Sequence, residues 1–169
     1  MKKIGIFFGT STGETEHVAK LLGKKLDVTG ADIIDVAKAD VAQLNKYDVL
    51  FFGSSTQGYG DLQDDWDSFV EKVKKVDLKD KKVAAFGLGD SSSFSDTFCN
   101  AMGAIAAAAQ DAGATLIGNK VDTADYTFEE SQSVVDGYFC GLALDEANES
   151  DQTESRIDAW LNELKSELA

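Results

Sequence analysis

Short apolar runs alternate along the chain with longer segments whose apolar positions recur every three or four residues. The runs cover residues 3–8, 31–36, 49–53, 82–88 and 114–118. They are rich in Val, Ile and Phe and do not alternate strictly, which predicts strands buried on both faces. Between them, residues 13–25, 62–75 and 98–112 carry helical patterns, and a last one runs from about 153 to 168. In that last segment Ile157, Trp160, Leu161, Leu164 and Leu168 share one face. Ser150, Asp151 or Thr153 can cap its start.

Strand followed by helix, repeated, predicts parallel strands joined by right-handed crossovers. The expected fold is a doubly wound α/β sheet of five parallel strands with helices on both faces. There is no proline, no low-complexity linker and no internal repeat, so residues 1–169 are expected to form one domain. Ligands of such sheets bind beyond the carboxyl ends of the strands. That directs attention to three segments that follow apolar runs: GTSTGET (9–15), SSTQGYGDL (54–62) and GLGDSSSFSDTF (87–98).

Charge narrows the function classes. The net charge is −14, and residues 85–169 hold 3 Lys/Arg against 16 Asp/Glu. Such a surface repels nucleic acid and anionic membrane and attracts basic proteins; plain solubility is the other reading. No apolar run nears the roughly 20 residues of a membrane helix. The opening MKKIGIFFG reads as a buried first strand rather than a signal peptide, because Gly5 and Gly9 interrupt it. Cys99 and Cys140 lie in no metal or redox motif, which suggests reduced, buried thiols in a cytoplasmic protein. His17 is the sole histidine and reads as a helix-surface residue. No nucleophile or acid–base constellation is visible.

GTSTGET lacks the GK[ST] ending of a nucleotide-triphosphate loop and the glycine spacing of a dinucleotide loop. Thr10, Ser11, Thr12 and Thr15 offer four hydroxyls, Gly13 permits a tight turn, and the helix starting there offers unpaired N–H groups. This is a cage of neutral donors at the positive end of a helix dipole, suited to one terminal phosphate.

GTSTGET resembles the T-x-T-G-x-T phosphate loop of the flavodoxins. The likeness continues through SSTQGYGDLQDDW, GLGDSSSFSDTF and FCGLALDEAN with its closing helix, and so covers essentially the whole chain. Residues 120–138 resemble the insertion that splits the fifth strand in long-chain flavodoxins, although the chain has Ala124-Asp125-Tyr126 where that family often has Asp-Gly-Tyr. The resemblance implies strand order 2-1-3-4-5 and non-covalently bound FMN. Thr10, Ser11, Thr12, Gly13, Glu14 and Thr15 would hold its phosphate, with cations kept away from a ring that becomes anionic on reduction.

The resemblance also assigns the other two loops. Thr56 would reach the ribityl chain, and Gln57 stands where many members have a Trp on the inner face of the ring. Tyr59 is either its replacement or an exposed loop aromatic. At Gly58, in a turn with Gly60, the peptide would turn over on reduction so that its carbonyl meets the ring N5, a flip that glycine makes cheap. Phe94 matches the outer-face tyrosine, and keeps the stacking surface without the hydroxyl. Gly89, Asp90, Thr97 and the Cys99 amide belong to the loop that would read the pyrimidine edge, and a carboxylate there opposes formation of an anionic reduced ring.

The implied function is low-potential one-electron transfer by a monomer. Its partners would be basic redox proteins, such as a ferredoxin/flavodoxin-type NADP reductase or a pyruvate oxidoreductase. An FMN-dependent reductase would need a substrate pocket, and no segment suggests one. A receiver-type signalling domain would need acidic residues where Gly9-Thr10 and Gly53-Ser54 stand.

Overall fold

Ile6, Phe7 and Phe8 are all buried, with Phe7 facing one side of the sheet and Ile6 and Phe8 the other, as a strand covered on both faces requires. The computed structural model describes residues 2–169. In chain order the first half contains β1 (Ile4–Gly9), α1 (Glu14–Leu26), β2 (Ile33–Asp35), β3 (Val49–Gln57), β4 (Asp61–Leu62), α2 (Asp64–Val73) and β5 (Lys82–Leu88). The second half contains α3 (Asn100–Asp111), β6 (Thr115–Leu116), β7 (Val121–Asp122), β8 (Val134–Val135), β9 (Tyr138–Phe139), β10 (Leu142–Leu144) and α4 (Thr153–Leu168).

The parallel order is β2-β1-β3-β5, followed by a fifth place that two segments share. There β6 pairs with the start of β5 (Lys82↔Thr115, Val83↔Leu116). Its end pairs with β10 (Phe86↔Leu142, Leu88↔Leu144). The fold is therefore the expected flavodoxin-like doubly wound sheet.

Two expected strands are shorter than their apolar runs. In the run 31–36, Gly30–Asp32 coils into a 3-10 turn and only Ile33–Asp35 pair with β1. In the run 114–118, pairing continues as far as Ile117, whose N–H donates to Val83 O at 2.9 Å. Gly118 then leaves the sheet at φ +61°. Between β6 and β10 the chain builds a small antiparallel sheet, β7-β9-β8.

Two apolar layers hold the main sheet. Helices α1 and α4 cover one face with Val18, Leu22, Ile157, Trp160 and Leu164 against Ile6, Phe8, Phe51 and Phe86. Helices α2 and α3 cover the other with Trp66, Phe69, Val73, Ile105 and Ala109 against Phe7, Leu50, Phe52 and Val83. The buried indoles also satisfy their polar ends: Trp66 Nε1 donates to Gly53 O at 2.7 Å and Trp160 Nε1 to Gly118 O at 2.9 Å. A third cluster joins Phe98, Cys99 and Met102 to Phe139 and Cys140 beneath the small sheet.

Strand order reverses at β1, with β2 on one side and β3 on the other. The carboxyl ends of β1, β3 and β5 consequently share one edge, and the three segments singled out in the sequence all leave from it. Among the described residues no helix is long and apolar enough to cross a membrane, and no cluster of His, Cys, Asp and Glu could hold a metal.

Candidate cofactor site at the carboxyl edge of the sheet

The turn between β1 and α1 is shaped by glycines at both ends. Gly9 lies so close to the α2 start that a Cβ there would sit 2.3 Å from Gln63 Oε1 and 2.5 Å from Trp66 Cδ1. Gly13 takes φ +93° and becomes the N-cap of α1 without a side-chain cap. The first N–H recorded closing onto this turn is that of His17, which donates to Gly13 O at 3.0 Å. The amides of Ser11, Thr12, Glu14, Thr15 and Glu16 donate to no protein acceptor among the described residues. Five free N–H groups at one helix start form an anion nest.

The hydroxyls around the nest are partly committed. Thr10 Oγ1 accepts from Gly13 N at 2.9 Å. Ser11 Oγ accepts from Gln57 Nε2 at 2.6 Å and Gln63 Nε2 at 3.3 Å. Thr56 Oγ1 accepts from Ala101 N at 3.1 Å, at the start of α3. A hydroxyl whose oxygen already accepts has its one hydrogen left to donate. Thr12 is exposed and Thr15 is buried beneath the turn. His17 lies exposed on α1.

The segments 54–62 and 87–98 leave the same edge of the sheet as this turn. Gly58 and Gly60 have φ of +52° and +97°, left-handed values that side chains disfavour. A Cβ on Gly60 would also come within 2.9 Å of Asn100 Nδ2. Tyr59 is 86% exposed, and its ring meets Phe94 edge to face with centroids 6.1 Å apart. These two aromatics touch one another, and a flat ring entering between them has to part them. Gln57 turns toward the phosphate turn instead.

In the third loop, Gly89 permits close packing, since a Cβ there would lie 2.8 Å from Cys99 N. Cys99 takes φ +53° at the N-cap of α3, and its N–H donates to no protein acceptor among the described residues. Burial pushes its thiol pKa up, so the side chain packs as an apolar group while the backbone supplies the free donor. Cys140 is likewise buried and unpaired. Thr97 Oγ1 is buried without a hydrogen-bond partner, beside Gly60.

Residues 6–160 match the family model described as Flavodoxin. Flavodoxin 1 of Escherichia coli is 40% identical over 165 residues, covering 97% of this chain and 93% of that protein. A Synechocystis flavodoxin is 40% identical over 166 residues, covering 98% and 97%. This chain belongs to the flavodoxin family. Among solved structures it resembles the Fusobacterium nucleatum flavodoxin bound to flavin mononucleotide, at TM-score 0.90 and 28% identity over the full length of both chains.

In this flavodoxin the loop at 89–98 is tied down through Asp90 and Ser91 by Asn148 and Asp145, neither of which sequence reasoning singled out. Asp90 Oδ1 accepts from Ser92 N (3.1 Å), Ser93 N (2.9 Å) and Asn148 Nδ2 (2.8 Å). The Ser93 amide, followed by Asn148, holds the Asp90 carboxyl below the usual range. Asn148 also donates to Asp145, a fully buried carboxylate at the end of β10 that accepts from Ser91 N and Ser91 Oγ as well.

The start of α3 is braced from the segment between β6 and β10. Ser133 Oγ donates to Cys99 O at 2.6 Å and accepts from Gly103 N at 2.8 Å. Ser131 Oγ donates to Phe98 O, and Gln132 N donates to Asn100 Oδ1 at 2.8 Å. Ser95 O accepts from the amides of Glu129 and Glu130. The signal for Asp145 was a single acid closing the run LAL; Ser131, Ser133 and Asn148 had none.

Proposed function

We propose that this flavodoxin is a low-potential one-electron carrier that binds FMN non-covalently at the carboxyl edge of its sheet. The observation that carries this reading is the nest of five unpartnered amides at 11–16, ringed by hydroxyls and free of Lys and Arg across residues 9–15. Those donors suit a phosphate monoester: many hydrogen bonds, a favourable helix dipole and no counter-cation. The free Cys99 amide supplies a donor for a carbonyl at the far end of the crevice. The residues present fit FMN, whose isoalloxazine ring when bound supplies the one-electron chemistry.

The protein's part is to hold, cover and tune. Thr10, Ser11, Thr12, Gly13, Glu14 and Thr15 hold the phosphate, and Thr56 donates toward the sugar-alcohol chain. Phe94 and Tyr59 cover the ring once parted, which shields its faces and leaves an edge for partners. Gly58 permits the backbone at 57–60 to change conformation with redox state at small steric cost. Asp90, held ionised by Ser93 and Asn148, places negative charge near the ring and disfavours added charge on it.

The partners are redox proteins with basic docking faces, such as a ferredoxin/flavodoxin-type NADP reductase or a pyruvate oxidoreductase in the cytoplasm. Supporting this, Asp64, Asp65 and Asp67 crowd the first turn of α2 at the same edge. The test is photoreduction of the FMN-loaded protein followed by visible absorption. Two separated one-electron steps are expected, the second at low potential. Reduction in a single two-electron step, or electron delivery straight from a nicotinamide, would contradict a carrier.

A further inference from the structure

We propose that Gln57 is a positioning residue that turns the Ser11 hydroxyl to donate to the flavin phosphate. The proposal rests on the FMN reading above and adds to it a means of selecting the phosphorylated flavin.

A serine hydroxyl can donate one hydrogen and accept at two lone pairs, and it normally rotates between these uses. At Ser11 the Gln57 Nε2 donates to the oxygen at 2.6 Å, while Gln63 Nε2 stands farther off at 3.3 Å with its two hydrogens taken by shorter bonds. No protein acceptor among the described residues takes its hydrogen. A hydroxyl that accepts from Gln57 keeps its own hydrogen free for a ligand held in the nest. Thr12, in the same turn, has no such amide neighbour among the recorded hydrogen bonds.

The polarity of Gln63 is set by its surroundings. Its Oε1 accepts from Asp65 N at 3.0 Å and Trp66 N at 3.3 Å, which caps α2. Its Nε2 donates to Thr10 O at 3.1 Å and Asp65 Oδ2 at 2.8 Å. Gln63 is 1% exposed, so this arrangement is locked in place. Gln57, at the end of β3, supplies the shorter bond and reaches Ser11 across the mouth of the turn. The glutamine thus replaces a stacking surface with control over the phosphate end.

The test is titration of the flavin-free protein with FMN and with riboflavin, which lacks the phosphate, followed by flavin fluorescence. Q57M is expected to lose about tenfold in FMN affinity, the worth of a hydrogen bond to a charged group, with riboflavin nearly unchanged. Q57E, which offers Ser11 an acceptor and adds a charge, should lose more for FMN. In an S11A background Q57M should add nothing, because the group it orients is gone. Equal losses for both flavins, or additive losses in the double variant, would overturn the proposal. FMN binding by wild type together with an unchanged Q57M overturns only this inference. Wild type that does not bind FMN overturns the reading on which it rests.

Discussion

The turn at 9–15 and the loop at 89–100 leave the same carboxyl edge of the sheet, yet they are held by different parts of the chain. The first takes its backbone shape from a glycine at each end, with Gln57 and Gln63 reaching Ser11 from 46 and 52 residues further along. The second depends on serines 30 to 34 residues further along, and on Asp145 and Asn148 beyond them. A local device is cooperative with its own strand and helix, and stays formed as long as they do. A loop braced from a distance is ordered only when the brace is docked. The 9–15 turn therefore owes its backbone shape to its own glycines, and the 89–100 loop to braces from later in the chain.

The sharpest way to break the contrast is at Gly9. A methyl there meets the buried Gln63 and Trp66 side chains, so G9A should cost about 2 kcal/mol of stability by overpacking. It should weaken FMN about a hundredfold by displacing the amides, since several hydrogen bonds to a charged group are lost together. Riboflavin binding should fall less. Equilibrium unfolding and parallel flavin titrations check both figures.

At the other end, S133A leaves Gly103 N unpartnered and removes one of two hydrogen bonds to Cys99 O, which keeps that from Met102 N, at a site where Ser133 is fully buried. The expected cost is about 2 kcal/mol, with FMN and riboflavin weakened by the same factor because the phosphate is not involved. A loss confined to FMN would erase the distinction between the two ends. Hydrogen exchange at residues 95–100 should speed up in this variant while exchange in the body of α1 is unchanged.

Glu14 opens α1 beside the nest, with Glu16 in the same first turn. Its charge stabilises the helix start but opposes a phosphate at the same place. E14Q should tighten FMN about threefold, leave riboflavin unchanged, and lower helix stability by a few tenths of a kcal/mol, about the worth of one dipole contact. Unchanged FMN affinity would mean that the phosphate lies farther from the helix start than the nest implies.

The smallest effect is a pH dependence of the ring end. The Asp90 carboxyl is held low by Ser93 and Asn148, so its contribution to loop order is complete above the ordinary carboxyl range of about 4. It is lost only as pH falls through the lowered value in the folded protein. Order at 90–93 should therefore hold at neutral and mildly acid pH and fade below that. N148A should move the fading to higher pH, which backbone amide shifts in an acid titration would detect.

What could be read in the sequence follows the same division. GTSTGET sits directly after an apolar strand, and its glycines, hydroxyls and free amides are neighbours in sequence as well as in space. The alternation of runs and helical patterns likewise indicated the layer order, because the central strands β1, β3 and β5 are buried on both faces. Gln63 escaped notice because glutamine is a poor N-cap by preference, and only the close approach at Gly9 reveals its use. Ser131, Ser133 and Asn148 escaped because their partners lie far away in sequence and no period marks them. The edge strand was read half right: Thr115 and Leu116 pair as expected, but its other half, Leu142–Leu144, arrives only after the small sheet.

The most direct test of a neutral phosphate cage is the salt dependence of FMN affinity for the flavin-free chain, measured beside riboflavin. With no Lys or Arg in residues 9–15, the ratio of the two dissociation constants should favour FMN by at least about a hundredfold and change little between low and high salt. A ratio near one, or a preference for FMN that vanishes as salt rises, would mean that the phosphate is held elsewhere or by cations.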